Sequence, residues 1–302
     1  MDDLLAKELL VVTGKGGVGK TTVAAALGLA AARRGLRTIV AEVAARDDVS
    51  RALGGSGIHE DELADGLHHI SIDPEAAMEE YLADQLPARV LADLLGSSPV
   101  FTYFAAATPG LRELLTVGKV WELAQDTRRT PGGRPYDLVV LDAPATGHGV
   151  AILTAPRTFA QTARVGRIAR QGRTIDAMLS NPALTGVVVV ARPEEMPVNE
   201  TIALERALPD ETGLAVDLVV ANGVLPGRFT AGEARALAAA GDGPAVAAAL
   251  AGHARHQTQQ SQLARLRRDA RAPVVTLPFV FEAQLDEGAL TTLSHMLAER
   301  LA

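Results

Sequence analysis

Gly14-Lys15-Gly16-Gly17-Val18-Gly19-Lys20-Thr21-Thr22 is the stretch that decides the fold. It holds the spacing G-x-x-x-x-G-K-[ST], running from Gly14 through Gly19, Lys20 and Thr21, with a second lysine, Lys15, directly after the first glycine. Glycines let many backbone N–H groups converge on a small volume, which is what a polyphosphate requires. Lys20 adds a point charge for β- and γ-phosphates, and the Thr21 hydroxyl suits a Mg²⁺ ion. The flanks agree with this reading. Glu8–Thr13 is a short apolar run suited to a buried parallel strand. Thr22–Arg34 is Ala-rich and helix-favouring, closed by Gly35. Strand, glycine loop and helix start are the parts a phosphate cradle needs, because a helix N-terminus itself favours anions.

The same alternation continues along the chain. Apolar runs at Leu9–Thr13, Thr38–Val43, His69–Ile72, Leu138–Leu141, Val187–Ala191, Leu218–Ala221 and Val274–Leu277 read as buried strands with helical stretches between them. The expected fold is therefore α/β: a P-loop NTPase with a mostly parallel sheet flanked by helices. Two intervals are too long for simple crossovers, at about 74–135 and 149–184. They are expected to form a helical subdomain within a single domain spanning 1–302, at the carboxyl ends of the strands. Segment 231–271 reads as one or two surface helices, and its arginines 265, 267, 268 and 271 as a solvated face. The last helix, with Leu290, Leu293, Met296, Leu297 and Leu301 on one side, is expected to dock on the core.

Composition bounds the function. The 302 residues are 48% hydrophobic and 22% charged, enough for a substantial core. A net charge of −7 gives no general basic surface, so no nucleic-acid partner is expected. The absence of cysteine excludes disulfides, thiolate metal sites and cysteine nucleophiles, and suits a cytoplasmic protein. The acidic start Met1-Asp2-Asp3 is unlike a leader, and no apolar run reaches the roughly 20 residues of an integral membrane span.

A second signature is Tyr136–Asp142, an apolar strand ending in an acid. After a P-loop, such an acid holds Mg²⁺, usually through water, which makes Asp142 the second expected metal ligand beside Thr21. The following Ala143-Pro144-Ala145-Thr146-Gly147-His148-Gly149 is small and glycine-containing, fit to move with the γ-phosphate. His148 in that loop reads as a hydrogen-bonded structural residue before a general base.

Together, Lys15 within the P-loop, the 142–148 loop and Ala191–Glu200 resemble the ArsA family, which includes the arsenite-pump ATPase and the targeting ATPase of tail-anchored membrane proteins. Within it, Pro109–Leu115 and Gly118–Ala124 are similar to the short bacterial "anion-transporting ATPase" type. The resemblance implies ATP/ADP and Mg²⁺ as ligands. It also implies a nucleotide-bridged dimer, of two copies or of this chain with a paralogue, in which Lys15 reaches the partner's nucleotide. It makes Lys15 and Lys20 catalytic, Asn222 the base-reading residue, and Pro278-Phe279 part of the loop over the base. A turn asparagine before Gly223 and core phenylalanines are the alternatives.

The chain also departs from the family. Thiolate binding of a metalloid and a Cys-x-x-Cys zinc clamp are both impossible without cysteine. Where the family carries a water-positioning aspartate after its second strand, this chain has Glu42-Val43-Ala44-Ala45-Arg46-Asp47-Asp48, with Ala44 in the aspartate's place. Asp47 is the candidate substitute, and an N-cap role for Asp47 and Asp48 is its alternative. Two functions lead, ahead of a targeting or membrane-associated factor. One is an ATPase switching its grip on an unidentified client. The other is a nucleotide-regulated subunit with weak or no hydrolysis.

Overall fold

The computed structural model describes residues 2–43, 46–57, 59–85, 110–129, 133–163, 167–282 and 285–301. Among them, one sheet contains β1 (Leu9–Thr13), β2 (Thr38–Val43), β3 (Asp61–Ala64), β4 (Leu67–Ile72), β5 (Leu138–Asp142), β6 (Thr185–Ala191), β7 (Leu218–Val224) and β8 (Val274–Pro278). The spatial order is β3-β4-β2-β5-β1-β6-β7-β8. Neighbours run parallel except β3, which pairs antiparallel with β4. β1, β5 and β6 at the centre are buried along their whole length, which is why they read as continuous apolar runs. The sequence reading lacked β3, whose Asp-Glu-Leu-Ala carries no apolar run and lies half in solvent.

The helices are α1 (Asp2–Leu5), α2 (Lys20–Ala32), α3 (Asp48–Ala52), α4 (Pro74–Gln85), α5 (Leu111–Leu123), α6 (Thr146–Ala163), α7 (Arg167–Leu179), α8 (Glu195–Thr212), α9 (Ala231–Ala240), α10 (Pro244–Asp269) and α11 (Glu287–Leu301). Alternate strand residues feed opposite faces. Leu10 and Val12 pack with Val23 and Leu27 of α2 and Leu290, Leu293 and Leu297 of α11. Leu9 and Val11 belong to the other face, with Val117 and Val120 of α5, Ile152 of α6, Ile175 of α7 and Leu263 of α10. The last helix thus docks on the core, and Arg33 fastens it by bonds to Ser294 and Thr291. α2 lies so close to the sheet that a Cβ on Gly28 would sit 2.6 Å from the Val40 Cγ2 methyl.

The amino end of the sheet is tied by charge. Arg128, with a fully buried side chain, bonds Glu122 and Glu60, and the Tyr136 hydroxyl donates to Glu60 at 2.7 Å. The Arg37 guanidinium stacks over Tyr136 at 4.1 Å. Pairing with Arg128 holds both carboxylates below their usual range despite burial. Removing the arginine takes from two half-buried acids the cation they share, so Arg128→Met is expected to destabilise the fold by about 3–5 kcal/mol in urea unfolding. Replacing the surface Arg51 should change stability by no more than about 0.5 kcal/mol.

Candidate functional site

The loop from Gly14 to Gly19 leaves the carboxyl end of β1 and enters α2. Gly14 has φ +144°, and a Cβ there would sit 2.2 Å from the Val190 carbonyl oxygen on β6. Gly19, the N-cap of α2, has φ +93°, and its missing Cβ is replaced by the Asn222 amide nitrogen. These two positions exclude any side chain, and they place the loop's backbone on the sheet. Gly16 and Gly17 face solvent, while Val18 is buried beneath them and anchors the loop.

Lys20 and Thr21 open α2 at the helix end where anions are favoured. The Lys20 ammonium donates to the Lys15 carbonyl at 3.2 Å, curling back over the loop. Burial pulls Lys20 below the ordinary lysine range, Asp142 opposes this, and Arg46 adds to it. The Thr21 hydroxyl donates to Asp142 Oδ2 at 2.5 Å. Thr22 stands half-exposed on the same first turn. Asp142 is only 3% exposed, and its Oδ1 has no hydrogen-bond partner among the described residues. Burial pushes its carboxyl up to about 6, with Glu42 on the neighbouring strand adding to the shift. That Glu42 is fully buried and accepts from the Val49 N–H at 2.9 Å and from His69 Nε2 at 2.8 Å.

Asn222 ends the buried part of β7, and its amide donates to the Val18 carbonyl at 2.9 Å. The amide therefore belongs to the cradle's underside, and the turn beyond it is clamped by α10. Gln259, buried in α10, accepts from the Leu225 N–H at 2.8 Å and donates to the Gly223 carbonyl at 3.2 Å. His256 Nδ1 lies 2.9 Å from the Leu225 carbonyl. The Phe279 N–H donates to the Val224 carbonyl at 2.9 Å, so Pro278 and Phe279 flank the same turn. Phe279 and Phe281 are both exposed and meet edge to face at 4.9 Å, so neither is a core residue.

Cradle, lysine, threonine and buried acid are thus gathered at the carboxyl ends of β1 and β5, and comparison with known proteins gives this arrangement its family. The profile of a family described as "Anion-transporting ATPase" matches residues 7–171 and 160–239. The chain belongs to the ArsA ATPase family. The chain is 28% identical to ATPase BagA of Mycobacterium tuberculosis, over 97% of this chain and 93% of that one. It is also 28% identical to an arsenical pump-driving ATPase of Escherichia coli, over 76% of this chain but 41% of the pump protein. ATPase GET3 of Chaetomium globosum is 29% identical over 54% of this chain and 47% of its own.

Membership in the ArsA family makes the chain a P-loop ATPase in general terms, and its residues fit Mg²⁺-nucleotide. The ion takes few protein oxygens and keeps much of its own water. A threonine hydroxyl beside a buried carboxylate with one unpartnered oxygen meets that need. No group of three or more His, Asp or Glu able to hold a metal occurs among the described residues. Among them, too, no helix is long and apolar enough to cross a membrane.

Two sequence candidates have partners that the sequence did not show. Lys15 is ion-paired with Glu200 of α8. Asp47 is the N-cap residue of α3, as the alternative reading had it, though its side chain does not bond the helix amides. Its carboxylate pairs instead with Arg51, 2.9 Å away. Ala44 and the His148 side chain lie outside the described residues. The residues the sequence reading missed are Gln259, hidden in a polar helix, and Glu200, one more acid on a surface helix.

The raised Asp142 gives a signed expectation. Its folded value lies above the unfolded one, so the ionised form works against folding above about pH 6, and the penalty fades as pH falls. Asp142→Asn should therefore raise the thermal midpoint of the nucleotide-free protein at pH 8, and raise it less at pH 5. Calorimetry at the two values checks this.

Proposed function

We propose that this chain is a magnesium-dependent ATPase whose nucleotide lies on residues 14–22, with the metal held by Thr21 and, through water, by Asp142. The observation that carries the reading is the Thr21–Asp142 hydrogen bond, which joins two signatures 121 residues apart beside the Lys20 ammonium. When bound, magnesium neutralises charge on the β- and γ-phosphate oxygens. The loop N–H groups orient the phosphates, Lys20 adds its charge, and burial excludes bulk water from Asp142.

Lys15 then works between subunits. In the single chain Glu200 holds it. In the proposed dimer, with a second copy or a paralogue, Lys15 exchanges Glu200 for the nucleotide of the facing subunit. Triphosphate binding and subunit closure are coupled by that exchange. Asn222, with Pro278 and Phe279, forms the base side of the site, held in place from α10. Helices α4 to α7 act as a subdomain whose grip on a client changes with the nucleotide, in the cytoplasm. The pump-driving relative is named for arsenicals. This chain lacks the thiolates that would hold such a metalloid, so its client is of another chemistry.

A second reading has its own support. Asp47 is held by Arg51 and makes no hydrogen bond to Thr21, Lys20 or Asp142, which leaves no carboxylate of that loop assigned to the attacking water. A subunit that binds ATP with little turnover, completed by a paralogue, fits that arrangement.

Steady-state ATP hydrolysis with Mg²⁺, measured beside ATP binding, separates the two. Lys20→Ala is expected to lower kcat/KM by roughly a hundredfold. Unchanged hydrolysis in that variant would sink the ATPase reading. Tight binding by the parent without turnover would establish the second one, and loss of turnover in Asp47→Ala would restore that carboxylate to the chemistry. Sedimentation should show a larger species with ATP than with ADP in the parent and no such difference in Lys15→Ala.

A further inference from the structure

We propose that Arg46 is a γ-phosphate-sensing residue of this nucleotide site, a guanidinium in the loop where the family pattern brings a carboxylate. The inference rests on the ATP-binding reading above and adds a discriminating contact to it.

Arg46 follows β2, and its Nη2 lies 3.5 Å from the Thr21 hydroxyl, the group assigned to the metal. It also helps wall a half-open cavity of about 530 Å³ beside Asp142, whose other charged lining residues are Asp73, Glu75, Arg112 and Glu113. Lys20 and Arg46 both act on the Asp142 carboxylate, opposed by Glu42. Lys20 and Arg46 thus face the acids Asp142 and Glu42, and Arg46 is the cation set against the Thr21 hydroxyl.

The geometry of the guanidinium is set from behind. Asp48 Oδ2 takes Nε at 3.1 Å and Nη2 at 2.7 Å, and Asp48 also takes Arg51 at 2.6 Å. The first turn of α3, which carries Asp48, is tied to the sheet by the Val49 N–H on Glu42, itself held by His69. Of the five N–H groups of an arginine, three are engaged by Asp48 and Thr21, and the two on Nη1 have no partner among the described residues. The Nη1 amino group, with its two N–H donors on a fixed positive charge, is suited to a phosphate oxygen. A lone surface pair between Arg46 and Asp48 would explain the guanidinium's hold on Asp48, but not its approach to Thr21. A contact made to the terminal group of a triphosphate would distinguish ATP from ADP.

The test titrates Mg²⁺-AMP-PNP and Mg²⁺-ADP separately onto the parent, Arg46→Ala, Arg46→Lys and Lys20→Ala, with thermal midpoints as the folding check. In Arg46→Ala the AMP-PNP affinity should fall about tenfold while ADP affinity stays within twofold, and Arg46→Lys should recover part of the loss. Equal losses for both nucleotides, or no loss for either, would overturn the role of Arg46 while leaving the nucleotide site in place. A parent that bound neither nucleotide, or a Lys20→Ala variant that bound both like the parent, would overturn the nucleotide reading and the arginine's role with it.

Discussion

The close approach of Gly14 to the Val190 carbonyl is the constraint on which the site depends. With no room for a single carbon between loop and β6, the first residue of the cradle is fixed by the sheet's central strands. Those strands are buried on both faces and run parallel, so their carboxyl ends and the N-termini of the following helices share one edge. Lys20 and Thr21 come to Asp142 because α2 begins where β1 ends and β5 lies beside β1.

Electrostatics at that edge is left unbalanced in a definite way. Asp142 is desolvated and next to Glu42, which favours its neutral form, while Thr21, Lys20 and Arg46 pull towards the charged one. Glu42 is occupied in fastening α3 through Val49 and in accepting from His69. The loop after β2 is therefore pinned at its far end by a buried carboxylate and presents charge, on Arg46, at its near end. A site of this kind gains most from ligands that carry both signs, such as a divalent cation with a polyphosphate.

Much of this was legible in the residues. Every strand read from an apolar run is present, because continuous burial in a parallel sheet imposes that pattern. β3 was invisible, since a short edge strand half in solvent needs no apolar run. The P-loop and Asp142 were legible because each is a contiguous motif. Gln259, Glu200 and the partner of Asp47 were not, because their meaning lies in what they touch across 34, 185 and 4 positions respectively.

By itself, then, the sequence determined the class of fold, the glycine-loop motif at 14–22, the strand-ending acid Asp142, and the exclusion of thiolate chemistry. Local propensity, strand burial and motif spacing are properties of short segments and survive in one dimension. Only the tertiary structure decided that Lys15 rests on Glu200, that Asp47 is spent on Arg51, that Asn222 lies under the loop, and that Arg46 faces Thr21. Charged and amide side chains have long reach and several possible partners, and only packing brings one of those partners within hydrogen-bond distance.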